Sequence, residues 1–586
     1  MRRAFPPVFV ITVALTVLSP LAPLTAQSGR STDTARQAPA RKRGRAPFTV
    51  VDASIADLRT ALEKRRTTSR EIVTQYLTRI AFYEDQLHAA LVVNRQALAE
   101  ADERDRERRA GRLRGPLHGI PIALKDNIHT TTLPTTGGAL AFTGFTPPYE
   151  ATLTKHLRGA GAIILAKTTM TELANWVAGS PTPMPGNYNA VGGFALNPFD
   201  PRRDPRPATF DGRPVMNTGG SSSGIGTTSS LWAANVGTET SGSILSPSNQ
   251  TMLVGIKPTV GRVSRYGVIP ITADQDTPGP MARTVRDAAL LLGVLEGRSP
   301  DPNDAATTRC TPPAGGDYTR FLRAGGLKGA RIGIPRAFYY EAGPNTDVAR
   351  GGLDPAQMAA MTEAVAVLKA QGAVIVDPAN VPSIIAPARE DNFLAWGACS
   401  GAAEGRGNDS GCSIVLKYGM KRDFNAWLRS LGPAAPVKTL TELREWNAAH
   451  RNAGTIRFGQ AALDISDEID LEGDRARYEA DRAKDLRLTA TEGIDAVMKS
   501  EQLDALLFPG GSGAGLAARP GYPSVIVPMA LIPNAPTPAI PAEFEAKPQP
   551  YGVTFTGLAC SEPRLIELAY AFEQATRRRV TPPGAP

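Results

Sequence analysis

Gly220-Ser221-Ser222-Ser223-Gly224 satisfies GxSxG, the turn on which α/β-hydrolases expose a nucleophilic serine. Its surroundings suit that chemistry poorly. Residues 211–218 (Asp-Gly-Arg-Pro-Val-Met-Asn-Thr) make a weak strand, no HGGG-type segment is present, and His450 is the one histidine downstream that could serve as base. A His-dependent serine hydrolase is therefore the weaker reading. A second constellation needs no histidine. Lys125 closes the apolar run Gly119 to Leu124, Ser221 sits in a Gly-Ser turn, and Ser243 ends Gly237-Thr238-Glu239-Thr240-Ser241-Gly242-Ser243. A lysine in water has a pKa of ~10.4, so about one in a thousand is neutral near pH ~7.4. Desolvation by ~3 units, roughly 4 kcal/mol, would turn it into a base. A hydroxyl-rich loop can relay a proton from a nucleophile to such a base. The glycine beside Ser243 lets successive N–H groups converge on one oxyanion. Metal and phosphate chemistry find less support: there is no HExxH, no CxxC and no CxxH, and Gly161 to Thr168 lacks a P-loop's second glycine because Ala166 stands there.

These residues need a scaffold that brings distant segments together. Capping-box spacing at Ser54–Asp57, Thr68–Glu71 and Thr284–Asp287 predicts three helix starts. Apolar runs predict strands at Gly119–Leu124, Ala162–Leu165, Ala330–Ile334, Val374–Val376, Leu503–Pro509 and Ser524–Pro528. Helical patterns cover Leu153–Leu157, Thr284–Leu295, Pro355–Gln371, Asp423–Leu431 and Glu562–Arg579. Residues 217–248 read as a Gly/Ser/Thr-dominated stretch. Strands alternating with helices, without a repeat, predict an α/β layered fold.

The same segments, taken together, resemble the amidase signature family. The likeness rests on Gly119-Ile120-Pro121-Ile122-Ala123-Leu124-Lys125-Asp126-Asn127, Gly219-Gly220-Ser221-Ser222-Ser223-Gly224 and Gly237 to Ile244. It continues through Gly255 to Gly261, Gln275 to Thr284, Gly521-Tyr522-Pro523 and Tyr570 to Gln574. Thr238-Glu239-Thr240 and Leu416 to Trp427 point to the branch that contains peptide amidases. The resemblance implies one large mixed β-sheet covered on both sides by helices, and a Ser–cis-Ser–Lys hydrolase that needs no cofactor and no metal. In that mechanism Ser243 is the nucleophile, Ser221 relays the proton and Lys125 is the base. Backbone N–H groups of Thr240, Ser241 and Gly242 form the oxyanion hole. The implied reaction is hydrolysis of a linear, non-peptide C–N amide in a small-molecule or peptide substrate; an esterase or aryl acylamidase would use the same residues. The Ser221–Ser243 interval is short for the family, which shortens the intervening helix (Ile225 to Asn235). The Gly-Gly-Ser anchor selects Ser221 over Ser222. Residues 201–218 form an insertion expected either as a flap near the site's mouth or as a disordered bulge, and Phe393, Trp396, Phe424 and Trp427 are candidate pocket walls.

The ends of the chain set its context. Met1-Arg2-Arg3, the apolar run Val8 to Leu24 and Thr25-Ala26 read as a signal peptide over residues 1–26, followed by a flexible basic linker, 27–47, and an amidase domain, 48–580. The protein is expected to be exported, to the periplasm or beyond. No later run approaches the roughly 18 apolar residues of a membrane helix, so no stable span is expected after cleavage. The formal charge is +9, but residues 1–47 hold eight basic side chains against Asp33, which leaves +2 for the rest and argues against nucleic acid as a partner. Four cysteines are too few for a disulfide scaffold; Cys399 and Cys412 are placed to pair, while spacing says nothing about Cys310 and Cys560.

Overall fold

Strands without polar alternation must be covered on both faces, and the short apolar runs of this chain are of that kind. The computed structural model, which describes residues 47–207, 211–220, 223–343 and 351–585, shows where they go. Its strands are β1 (Ala90–Val93), β2 (Pro121–Lys125), β3 (Ile163–Thr168), β4 (Tyr188–Asn189), β5 (Gly193–Phe194), β6 (Ala234–Glu239) and β7 (Val254–Lys257). They continue with β8 (Thr277–Ala282), β9 (Arg331–Gly333), β10 (Val374–Val376), β11 (Ala505–Pro509), β12 (Ser524–Ile532) and β13 (Gln549–Thr556). β4 and β5 form a small ribbon. The other eleven make one sheet in the order β1-β3-β2-β6-β8-β7-β12-β13-β11-β9-β10. The sheet is mixed: β2 runs parallel to both β3 and β6, whereas β6–β8, β7–β8 and β12–β13 are antiparallel. Every residue of β2, β3, β6, β7, β8 and β11 is buried. Successive side chains of a strand point to opposite faces, so unbroken burial means that both faces are covered.

Local signals place the helices. Ser54 and Thr68 form reciprocal capping boxes with Asp57 and Glu71, starting helices Ile55–Glu63 and Ser69–Leu87. Thr284 accepts from the Asp287 N–H to start Val285–Glu296. The helix expected over Asp423–Leu431 is the second half of a longer one, Val415–Ser430. The helix expected over Ile225–Asn235 is only Gly224–Thr228, because the chain turns into β6 at Ala234.

Several strands lie where composition does not announce them. β6 reads Ala-Asn-Val-Gly-Thr-Glu, and β8 carries Pro278 and Pro280, which stand opposite Thr238 and Val236. Proline is unusual inside a central strand because it cannot donate to the ladder. Residues two apart direct their N–H groups to the same side, so the two prolines deprive only one neighbour. The insertion is also not a flap: Asp204 N donates to Arg213 O and Val215 N to Arg202 O, while Arg202 and Arg206 bond to the carbonyls of Phe544 and Pro538. Val215 and Met216 are buried with Phe199 and Met252. Residues 208–210 of the insertion fall outside the described residues, as do the expected signal peptide and, Pro47 apart, the expected linker.

Two disulfides are formed. Cys399–Cys412 closes a short loop, and Cys310–Cys560 joins residues 250 apart in sequence. Past residue 580, Gly584 N still donates to Pro198 O, and Arg79 to the Ala585 carbonyl.

Candidate active site

β2 and β6 lie side by side and parallel, with Leu124 opposite Val236, so they end at one edge of the sheet. Lys125 is the last residue of β2 and is wholly buried. Its Nζ donates to Thr238 Oγ1 at 2.9 Å and to the Thr238 carbonyl at 3.1 Å. Asn127 Nδ2 donates to the same hydroxyl oxygen at 3.0 Å. Burial pushes the Lys125 amine down to about 7, against the opposing pull of Asp276 and Glu239. Other lysines are as deeply buried, but they are held differently. Lys167 is ion-paired with Asp126 at 3.1 Å, and Lys417 with Asp409 at 2.7 Å. Lys257, pushed down to about 8 by burial, donates to the Tyr522 carbonyl at 2.6 Å. Lys125 has no ion pair among the described residues, and of the four amines its own is the one bonded to the strand that leads into Ser243.

Ser243 lies between β6 and the short helix Leu245–Gln250. Its turn is built by glycine and held by side chains. Gly242 has φ +91, a left-handed conformation that L residues rarely adopt. Glu239 accepts from the N–H groups of Ile244 at 2.8 Å and Leu245 at 3.0 Å. Thr240 Oγ1 donates to Asp276 Oδ1 at 2.5 Å, and Gln275 Nε2 donates to the Thr240 carbonyl at 3.3 Å. Ser221 and Ser222 lie outside the described residues. The preceding residue is described: a Cβ placed on Gly220 would stand 3.2 Å from Ser243 Oγ. Gly220 therefore lies directly against the Ser243 hydroxyl.

A cavity of about 760 Å³ opens over this turn, bordered by Gly220, Thr240, Ser241, Gly242 and Ser243 on one side and by Trp176, Pro181, Ile271, Ser400 and Leu416 on others. Among the described residues no charged side chain borders it. A second cavity of about 220 Å³, lined by Gln275, Phe393 and Arg519, shares Ser241 and Leu416 with the first. Neither is bordered by residues 201–207 or 211–218. The candidate aromatic walls are mostly core. Phe424 and Trp427 pack with Phe142, Trp427 Nε1 donates to His129 Nε2 at 2.9 Å, and Trp396 donates to Asp485 at 2.9 Å. Of the four, Phe393 alone reaches a cavity beside the serine turn. His450, the base the GxSxG reading requires, is exposed, stacks on Trp446 at 3.9 Å and borders neither cavity.

The arrangement thus joins a buried lysine outside any described ion pair, a serine at a strand-to-helix turn and backbone N–H groups around a neutral cavity. Asp276 and Gln275, which brace that turn, were not legible as site residues. Their signal was that they open Gln275 to Thr284, one of the segments that carry the family likeness.

Comparison with known proteins agrees with this geometry. The family model described as Amidase matches residues 71–566. A probable amidase of Arabidopsis thaliana is 33% identical over 541 residues, 91% of this chain and 92% of that protein. Among solved structures, the native peptide amidase of Stenotrophomonas maltophilia superposes with a TM-score of 0.75 at 36% identity, covering 92% of this chain and 99% of the other. An amidase family protein of Bacillus anthracis superposes with a TM-score of 0.72 at 27% identity, covering 91% of this chain and 92% of the other.

Proposed function

The chain belongs to the amidase signature family, in a branch resembling the peptide amidases, and on that premise we propose that it hydrolyses a linear carboxylic amide through an acyl-enzyme on Ser243. The observation that carries this reading is Lys125: wholly buried, without an ion pair among the described residues, held near neutrality by desolvation, and bonded to the strand that leads into Ser243. Ser243 Oγ attacks the amide carbon as its proton passes through Ser221 to the neutral Lys125 amine. The carbonyl oxygen, now negative, takes hydrogen bonds from the N–H groups of Thr240, Ser241 and Gly242. Collapse expels the amine, which recovers the proton from Lys125 through Ser221. Water then enters and gives up a proton along the same route, and that proton returns through Ser221 to Ser243 Oγ as the C–O bond breaks and frees the acid. A cavity bordered by no charged side chain among the described residues favours an uncharged substrate segment, from a small amide or an amidated peptide.

Ser243→Ala is expected to abolish turnover of an amide panel (amino-acid, peptide and aryl amides). Lys125→Ala and Ser221→Ala should each cost several orders of magnitude, and the double variant little more than either single one, since they share one relay. Additive losses would show that they do not act in the same step. Export belongs to the same proposal. The signal-peptide pattern and the two disulfides, which persist in oxidising compartments, support it. N-terminal sequencing of protein recovered from its own cells should begin after Ala26; a soluble cytosolic chain beginning at Met1 would refute it.

A further inference from the structure

Asp276 is a carboxylate where a carboxylate is costly. It is 7% exposed, and hydrogen-bond donors hold both of its oxygens. Its Oδ2 accepts from the backbone N–H groups of Ile271 at 2.8 Å and Thr272 at 3.0 Å. Its Oδ1 accepts from Thr240 Oγ1, whose own carbonyl accepts from the adjacent Gln275. Gln275 and Asp276 therefore clamp Thr240, the first of the three residues whose N–H groups face the oxyanion in the proposed reaction. Asp276 also borders, with Asn127, Thr238 and Thr240, a cavity of about 10 Å³, room for one water. Thr238 is the residue that holds Lys125, so a single small cavity connects the carboxylate with the immediate partners of the amine.

The charges facing Asp276 come from several elements. On its own loop, Asp274 is paired with Arg422 at 3.0 Å. From the helix Val415–Ser430, Asp423, also bound to Arg422, opposes its ionisation. From the segment after β7, Arg265, paired with Asp304, favours it. The end of β2 contributes Lys125, on which both Asp276 and Glu239 act. Of the two carboxylates that act on Lys125, Asp276 acts more strongly and Glu239 less.

Resting on Lys125 as the base, we propose that Asp276 is a positioning residue with two tasks: its side chain fixes Thr240 in the oxyanion turn, and its negative charge sets the pH at which Lys125 becomes neutral. Burial raises the Asp276 carboxyl to about 6. An ionised Asp276 favours the protonated lysine. Removing the charge must therefore let Lys125 lose its proton at lower pH.

Asp276→Asn tests this with little change of shape. The amide oxygen still accepts the two N–H groups, and its NH2 turns to donate to Thr240 Oγ1. The acid limb of kcat/KM is expected to move to lower pH by about one unit, with circular dichroism and melting temperature near those of the parent. Thr240→Val provides a second route should the first variant fail to fold. Loss of the hydroxyl donor disfavours the Asp276 anion, so the limb moves in the same direction by less. A folded variant of either kind whose limb stays at the parental pH, with only kcat reduced, overturns the proposal. Lys125→Met separates this from the reading beneath it. Full activity there refutes Lys125 as base, whereas loss of activity with an unmoved limb in Asp276→Asn refutes only the role of Asp276.

Discussion

In the proposed mechanism Lys125 carries the pH dependence, as a buried amine that no described ion pair holds protonated. With its amine pushed down to about 7 by burial, the neutral form gains as pH rises through that value. kcat/KM should climb on the acid side and stay high on the alkaline side until another group or unfolding intervenes. A histidine base would give a limb near ~6.5, too close for the profile alone to separate the two. The discriminating change is His450→Gln. His450 is exposed and bonded to its own helix, so the variant should keep activity within about twofold of the parent, with the limb unmoved. A folded His450→Gln protein without activity would return the GxSxG mechanism to first place. The position of Lys125 at the end of an apolar run was legible in the sequence. Its lack of an ion pair was not, since Lys167, next to the end of β3, looks much the same locally and is paired with Asp126.

At the scale of elements, the site depends on how closely the Gly-Ser loop packs on the helix Leu245–Gln250. Gly219 has φ +75, and a Cβ on it would stand 2.4 Å from Pro247 N. Gly144 has the same φ but open space around it, which separates backbone strain from packing. Gly144→Ala should cost about 1 kcal/mol through its left-handed conformation alone and leave turnover intact. Gly219→Ala bears that strain and must also displace the 246–247 backbone that follows Ser243. It should cost about 2–4 kcal/mol and lower kcat at least tenfold. Thermal melts and kinetics of the two variants check this; equal melting temperatures and equal kcat would mean that the contact is not tight. The helix starts were legible because capping boxes are local. β6 and β8 were not, because their neighbours in the sheet override weak strand propensity.

The whole molecule is tied by crosslinks of very different reach. In the chain-entropy account, closing the 250-residue loop of Cys310–Cys560 contributes up to about 5 kcal/mol, and the 13-residue loop of Cys399–Cys412 about 3 kcal/mol. Replacing the first pair with serine should therefore lower the melting temperature more. The second pair has another consequence. Ser400 borders the larger cavity, and Ala398 and Ser413 border the smaller one, so Cys399→Ser with Cys412→Ser should raise KM while kcat changes little. A KM equal to that of the parent would show that the cavity wall holds without the crosslink.

What the sequence determined by itself is local or chemical in kind: the α/β class, the capped helices, a lysine at the end of an apolar run, and the glycine that turns the chain at Ser243. These follow from neighbouring residues, whose side chains bond and whose backbones bend over a few positions. The tertiary structure decided what depends on partners far along the chain. Cys310 meets Cys560, Gln275 and Asp276 clamp Thr240, and the expected pocket aromatics Phe424 and Trp427 turn into the core. The state of Lys125 belongs to this second group. A pKa is set by the surrounding dielectric and by the charges that reach the group, and both are supplied by segments that meet only when the sheet is assembled.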